Sequence, residues 1–358
     1  MVHIGHFFWN FNQLSHTRFF RYKSSYYPIL HVITANHTII LKFFITLPPI
    51  KCFSQMKRNI IINLHVVDNP QWFESVILYL KSAYNIVPLS AFAHDEQYKK
   101  PNSLCSITFD DGDLTFYNVA FPILKKHHVP AAIFVSPQSI KNHENFWFQE
   151  IADYDVATMA KIIASQTIIP FEIAKNYGLH ALLKCFPLGQ IHHFIQLYQK
   201  QTSTAPKEFR NMDLEKILEV NKSDLIIIGA HTLTHPVLAN ETDEKCRNEI
   251  VQSITDLSQM LNQDIQYFAY PNGTFGLDFS QREMDILKKN NIKIALSTDP
   301  DFVSKNSDKM AFPRKGITLG SIAFIKMKIL LGKKWNFVKN IRTPSEQKKR
   351  IILKKNFL

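Results

Sequence analysis

Ser106-Ile107-Thr108-Phe109-Asp110-Asp111-Gly112-Asp113 runs from an apolar stretch straight into two adjacent carboxylates and a glycine. Neighbouring carboxylates repel and resist desolvation, so the pairing asks for a chemical reason. The apolar lead-in, 104–109, reads as a buried strand. Adjacent side chains diverge at a strand end, so the two acids can take different tasks. One can hold a metal, which would relieve the repulsion, while the other accepts a proton. An Asp-Asp-Gly turn whose acids cap backbone amides is the structural alternative.

Outward from this stretch, strands and helices alternate. Residues 60–64 are β-branched and read as a strand ending at His65, 71–82 have helical spacing, and 86–89 read as a short strand. Past the Asp pair, 114–127 predict a helix ending in basic residues, and 131–135 a strand. Residues 150–220 lack strand patterns and read as short packed helices, either an insertion covering one side of the site or a set of barrel helices. Residues 225–228 predict a strand, 243–261 a long helix, 267–270 a strand, 282–289 a helix and 292–296 a strand. A short extended piece at Phe312-Pro313-Arg314 and an apolar helix over 320–331 complete the pattern. Alternation of this kind, with polar residues at the carboxyl ends of strands, predicts a barrel-like α/β enzyme.

His231-Thr232-Leu233-Thr234-His235-Pro236 follows the 225–228 strand and Gly229-Ala230. Two histidines four apart can reach one ion, and Asp plus two His leaves open positions, the pattern of a catalytic metal site. Two incidental histidines in a chain with fifteen of them are the alternative.

At these residues the chain resembles the polysaccharide deacetylases, carbohydrate esterase family four. Thr108-Phe109-Asp110-Asp111-Gly112 is similar to that family's first motif and His231 to Pro236 to its second. Phe268-Ala269-Tyr270-Pro271-Asn272-Gly273 is similar to a variant of the third. The resemblance covers about residues 56–320 and implies a distorted (β/α)7-type barrel. It implies Asp110 as general base, Asp111, His231 and His235 as ligands of a divalent metal, usually zinc, and the Asn272 backbone N–H as oxyanion donor. The family's third motif commonly carries a base-orienting Arg, which 266–273 lack; Arg314 is the candidate here. The usual Leu-x-His acid near the C-terminus is also missing. Asn63-Leu64-His65 resembles the circularly permuted members, in which the acid-bearing strand comes first, so His65 is the expected general acid.

The implied function is hydrolysis of N-acetyl groups on an amino sugar in a polysaccharide, oligosaccharide or lipid-linked glycan. A non-sugar amide or cyclic imide hydrolase would use the same chemistry, and a silent glycan-binding protein is the non-enzymatic alternative. Composition suits a soluble globular chain, 46% hydrophobic and 20% charged, with a net charge of +12. Residues 326–355 hold eleven Lys/Arg and one acid, Glu346, so 321–358 read as a basic C-terminal helix or tail. Such a tail is a solvated end or a contact to a membrane surface or lipid-linked glycan. No nucleic-acid partner is expected. Residues 1–55 carry no acid and no sustained period, and read as a leader or a start-site artefact, with the fold beginning near Met56. They show no convincing signal peptide, and a cytoplasmic or membrane-associated location is expected. Four scattered cysteines, Cys52, Cys105, Cys185 and Cys246, form no disulfide or zinc-knuckle pattern.

Overall fold

β-branched residues dominate two short segments near the start, β1 (His31–Ala35) and β2 (Thr38–Lys42), which pair antiparallel. The computed structural model describes their backbone and, with side chains, residues 58–94, 96, 103–332 and 345–357. The expected start at Met56, Cys52 and most of the expected leader lie outside the described residues. Met1–Lys57 and Arg58–Leu358 form separate units, and the second carries everything below.

The second unit is organised by period-two alternation. In β3 (Ile60–Leu64), Ile60, Ile62 and Leu64 join one apolar cluster while Ile61 joins another. Beyond the short, partly exposed β4 (Asn85–Ile86), the same split recurs in β5 (Leu104–Phe109) and β6 (Ala131–Val135). Cys105, Ile107, Phe109, Ala131, Ile133 and Val135 face the layer of outer helices, whereas Leu104, Ala132 and Phe134 face inward. Successive side chains of a strand point to opposite faces, and both faces here are buried, as parallel strands require. Towards the carboxyl ends, the inward positions become polar: Asn63 on β3, and Ser106, Thr108 and Asp110 along β5, all buried.

The remaining strands are β7 (Ile226–Ala230), β8 (Tyr267–Ala269), β9 (Ile294–Leu296) and β10 (Lys315–Gly316). The order is β10-β3-β5-β6-β7-β8-β9, every pairing parallel, with β4 added beside β5. The extended piece 312–316 ties the two ends of this order together. Phe312 bridges Leu296 of β9, and Lys315 and Gly316 pair with Ile62 and Asn63 of β3. The strands curl into the expected distorted (β/α)7-type barrel, with the two-residue β4 as an eighth strand beside β5. The strand expected over 86–89 stops at Ile86, because Pro88 has no N–H to donate, and a 3-10 turn Leu89–Ala93 follows.

Long helices flank the strands where the apolar spacing predicts them, at Pro70–Ala83, Asp243–Leu261 and Gln281–Lys289. Asn69, Thr242 and Ser280 cap them, each side-chain oxygen accepting a backbone N–H of the first turn. The helical stretch between β6 and β7 has its own core. Trp147, Met159, Ile163, Leu182, Phe186 and Phe194 belong to an apolar cluster that excludes the barrel residues.

The basic C-terminal segment is not simply a solvated tail. Glu346–Phe357 is a helix whose Leu353 is fully buried in this second apolar cluster, and it packs on Leu179–Leu183. Residues 333–344, which carry part of the expected tail's charge, lie outside the described residues. No helix among the described residues is long and apolar enough to cross a membrane.

Gly229, near the end of β7, leaves no room for a side chain. A Cβ there would meet the Phe134 ring at 2.5 Å and the Tyr267 carbonyl at 2.7 Å. Gly229→Ala is therefore expected to destabilise the protein by about 1–3 kcal/mol, read from urea unfolding at neutral pH.

Candidate active site

Five strand ends deliver the polar residues to one place. His65 follows β3, Asp110 and Asp111 follow β5, His231 follows β7, Asn272 follows β8 and Thr298 follows β9. All of them, with His235, line one cavity of about 640 Å³. The carboxyl end of a parallel barrel is where such residues can converge from distant parts of the chain.

Alternation alone would send Asp110 inward and Asp111 outward. The backbone breaks that rule, since Asp111 has φ 72° and Gly112 φ 74°. Left-handed backbone is uncommon for non-glycine residues and tolerated best by Asp and Asn. The break lets both carboxylates border the same cavity on different partners.

Asp110 is held by Arg314. Nη1 donates to Oδ1 at 2.7 Å and Nη2 to Oδ2 at 2.8 Å, a bidentate pair. Arg314 is completely buried, and its Nε donates to the Ser297 carbonyl at 2.9 Å. Nη1 also reaches Asn63 Oδ1 and Thr108 Oγ1, and Asn63 Nδ2 donates to Asp110 Oδ2 at 3.2 Å. Burial pushes the Asp110 carboxyl up, but the Arg314 guanidinium and His231 outweigh it and hold it below the ordinary 3.8.

Asp111 faces the two histidines instead. Its Oδ1 lies 3.5 Å from His231 Nε2 and 3.3 Å from His235 Nε2, and it has no hydrogen-bond partner although it is buried. One ligand atom from each of the three residues lies within 4.8 Å of the others. Burial raises the Asp111 carboxyl, and the facing imidazoles override it, so it sits well below the usual range. His231 Nδ1 sits 2.7 Å from the Ala269 carbonyl and carries a proton, so Nε2 is the atom left for Asp111: protonated, the ring is the cation that lowers the Asp111 pKa, and on losing that proton Nε2 offers a lone pair. An orphaned carboxylate oxygen beside a lone-pair nitrogen and a second imidazole suits a divalent cation, and these three residues fit one.

The histidine loop is shaped as much as the Asp pair. Thr232 and His235 both have positive φ, at 64° and 63°. For a β-branched residue such as Thr232 this is a genuine outlier, of the kind held in place only by its surroundings. Thr232 Oγ1 accepts the His235 N–H at 3.0 Å. Glu249, on helix Asp243–Leu261, accepts from the N–H groups of Leu233 and Thr234 and from the Thr234 hydroxyl at 2.6–3.0 Å. Phe146 and Phe148 stand 5.0 Å from the His235 ring.

Among the residues expected from sequence, Asp110, Asp111, His231, His235 and Arg314 lie in direct sequence of contact. His65 is less tightly placed, with Nε2 3.9 Å from Asp110 Oδ2 and half its side chain exposed. Asn272 adopts φ 60°, its carbonyl accepts from Thr298 Oγ1, and its backbone N–H has no hydrogen-bond partner among the described residues. Asn63 and Glu249 were not expected. Inward parity with His65 on β3 is a signal that points to Asn63. Glu249 has none, since its partners lie fifteen residues upstream across a turn.

A family model described as polysaccharide deacetylase matches residues 97–295. A curated relative, the poly-beta-1,6-N-acetyl-D-glucosamine N-deacetylase of Staphylococcus epidermidis, is 41% identical over 83 residues, 23% of this chain. That match spans only 27% of the relative's length. Two solved structures share the fold. IcaB from Ammonifex degensii has a TM-score of 0.51 and 17% identity, over 76% of this chain and 97% of that one. A Bacillus anthracis protein assigned to the polysaccharide deacetylases has a TM-score of 0.50 and 16% identity, over 76% and 69%.

The buried pair yields a stability prediction. Arg314→Met leaves the Asp110 carboxylate desolvated and unpaired, at an expected cost of about 3–5 kcal/mol at pH 7. Asp110 has its pKa lowered by folding, so its ionised form stabilises the fold above its ordinary value. That contribution disappears as the pH falls through the folded value. The variant's deficit is therefore expected to shrink near pH 3, and adding Asp110→Asn is expected to recover much of it at pH 7. Urea unfolding of the single and double variants at both pH values checks this.

Proposed function

The chain belongs to the polysaccharide deacetylase family, and from that premise we propose that it is a metal-dependent hydrolase removing N-acetyl groups from N-acetylglucosamine units of a glycan. The name of the Staphylococcus epidermidis relative supports the choice of sugar. The observation that carries the reading is the division of the Asp pair. Asp110 is committed to Arg314, and Asp111 to the cluster with His231 and His235.

In this reading Asp111, His231 and His235 hold a divalent cation, zinc by the resemblance of the motifs. When bound, it supplies Lewis-acid polarisation of the acetyl carbonyl and a water made acidic enough to attack near neutral pH. Asp110 is the general base, kept ionised by Arg314 and able to accept the proton of the attacking water. Arg314 and Asn63 position that carboxylate without removing its ability to accept a proton. The Asn272 backbone N–H is the donor to the oxyanion that develops as the carbonyl is attacked. His65, at the solvent side of the cavity, gives a proton to the departing amine, so that free amine and acetate are the products. The proposed catalytic unit is residues 56–320, with the helical stretch between β6 and β7 lining part of the cavity.

Purified protein freed of metal with a chelator is expected to release no acetate from N-acetylglucosamine oligomers and to regain activity on adding zinc or cobalt. Asp110→Asn is expected to lower kcat by about 10²–10⁴ while retaining bound metal. Metal content by mass spectrometry and acetate by a coupled assay give both readouts. Full activity of Asp110→Asn, or no acetate from the metal-loaded wild type, would sink the reading.

A further inference from the structure

An oxyanion donor works only when its N–H is aimed to better than about 1 Å, and the Asn272 N–H sits in a turn with little shape of its own. Residues 270–278 run Tyr-Pro-Asn-Gly-Thr-Phe-Gly-Leu-Asp, and Asn272, Gly273 and Gly276 have positive φ, at 60°, 70° and 78°. Chain of this kind samples many conformations unless its backbone groups are tied down.

The ties can be traced group by group. On one side Thr298, after β9, donates its N–H to the Gly273 carbonyl at 2.8 Å and its hydroxyl to the Asn272 carbonyl at 2.5 Å. Within the turn the Gly273 N–H reaches the Pro271 carbonyl at 2.7 Å, and the Thr274 carbonyl accepts from Leu277 and Asp278. On the other side Asp278 Oδ2 accepts the Thr274 N–H at 2.9 Å, and Gln347 Nε2 donates to Thr274 Oγ1 at 2.9 Å. Among the described residues, the Asn272 N–H is the one backbone N–H of 272–274 left without a partner. The turn is pinned at every backbone group except the proposed donor.

Asp278 is itself held by the C-terminal helix. Arg350 Nη2 donates to Asp278 Oδ1 at 2.6 Å, across 72 positions of sequence, and to the Lys184 carbonyl at 3.2 Å. Both side chains of the ion pair are 1% exposed. One carboxylate oxygen thus takes the guanidinium and the other takes the turn. The Asp278 carbonyl accepts the Ala239 N–H at 2.9 Å, from the 3-10 turn Leu238–Asn240 that follows the histidine loop. The helix is fixed in register by buried Leu353 and by Lys354, which bonds Asn240. A buried carboxylate keeps its place and its charge only while its countercharge is present.

We propose that Arg350 and Asp278 are positioning residues for the reaction: the pair sets the turn that aims the Asn272 N–H at the developing oxyanion, with Gln347 as a second tie. The proposal rests on the deacetylase reading and adds that the C-terminal helix, whose charge first suggests a tail, completes the oxyanion site. Neither residue needs to touch substrate. The oxyanion exists only along the reaction, so losing the pair lowers kcat and leaves KM and metal affinity alone.

The test measures kcat and KM of the zinc-loaded full chain on N-acetylglucosamine oligomers, zinc affinity by chelator competition, and amide hydrogen exchange by mass spectrometry. Arg350→Met is expected to lower kcat about ten- to a hundred-fold with KM and zinc affinity unchanged, and to speed exchange in 270–278 but not in 231–236. Arg350→Lys, which returns a cation, is expected to recover part of kcat. Arg350→Met/Asp278→Leu removes both buried charges, so it is expected to restore the unfolding midpoint while kcat stays low, which separates positioning from stability. The double variant also carries the test should the single one fail to fold. Full kcat in either Met variant, a rise in KM alone, a loss of zinc, or unchanged exchange in 270–278 overturns the proposal. A wild type that releases no acetate, with faster exchange in the variants, sinks the deacetylase reading and leaves the hold on the turn standing.

Discussion

The bidentate contact between Arg314 and Asp110 joins residues 204 positions apart, and the geometry of the site hangs from it. Arg314 immediately precedes β10, the strand that ties the end of the barrel back to β3. A guanidinium suits this place better than an ammonium. Its fixed fork meets both carboxylate oxygens, and its other N–H groups reach Ser297, Asn63 and Thr108 together. Burying two charges is costly, and it is tolerated here because every neighbour supplies a hydrogen bond. The same contact therefore closes the barrel and holds one carboxylate ionised inside it.

That arrangement explains why the second carboxylate can be left exposed to the histidines. With Asp110 neutralised by Arg314, the local repulsion falls, and Asp111 can keep a buried oxygen without a hydrogen-bond partner. The cost appears in the backbone. Asp111, Thr232, His235 and Asn272 all take positive φ, one or two in each of the three motifs that line the cavity. Each motif follows a strand end and must turn its side chains back over the barrel mouth. Glu249 and Thr232 fix the turn after β7 by satisfying its backbone N–H groups. Strain and its compensation are thus found together, where a packed scaffold overrides local preference.

Much of this was legible in the chain because it is encoded locally. Period two on the strands, helical spacing on Pro70–Ala83 and Asp243–Leu261, and polar residues at strand ends need no knowledge of distant contacts. The motif residues were legible because Asp-Asp-Gly and the His-x-x-x-His loop, each with a structural alternative when taken alone, follow strand ends in the order of a family's motifs. What escaped depends on pairings far apart in sequence. Asn63 looks like one polar residue in an apolar strand until Arg314 is beside it. Glu249 looks like an ordinary helix-surface acid until the histidine loop lies under it. How the helices over 150–220 pack depends on where an apolar cluster closes, which spacing does not encode.

The C-terminal helix shows most plainly how a sum over composition misleads. Its charge is real, but charge counted along a segment says nothing about which side chains find partners. Arg350 is spent on Asp278, Lys349 on the Tyr177 carbonyl and Lys354 on Asn240, all on surfaces contributed by other parts of the fold. The helix has almost no amphipathic pattern of its own, because its docking rests on Leu353 and these directed polar contacts and not on an apolar stripe. A helix held mainly by directed polar contacts is held in one orientation, since each bond fails if the helix rotates or slides. That rigidity is what allows Arg350 and Gln347 to hold the turn after β8 in one shape, and it is why a segment so remote from the Asp pair can contribute to the same site.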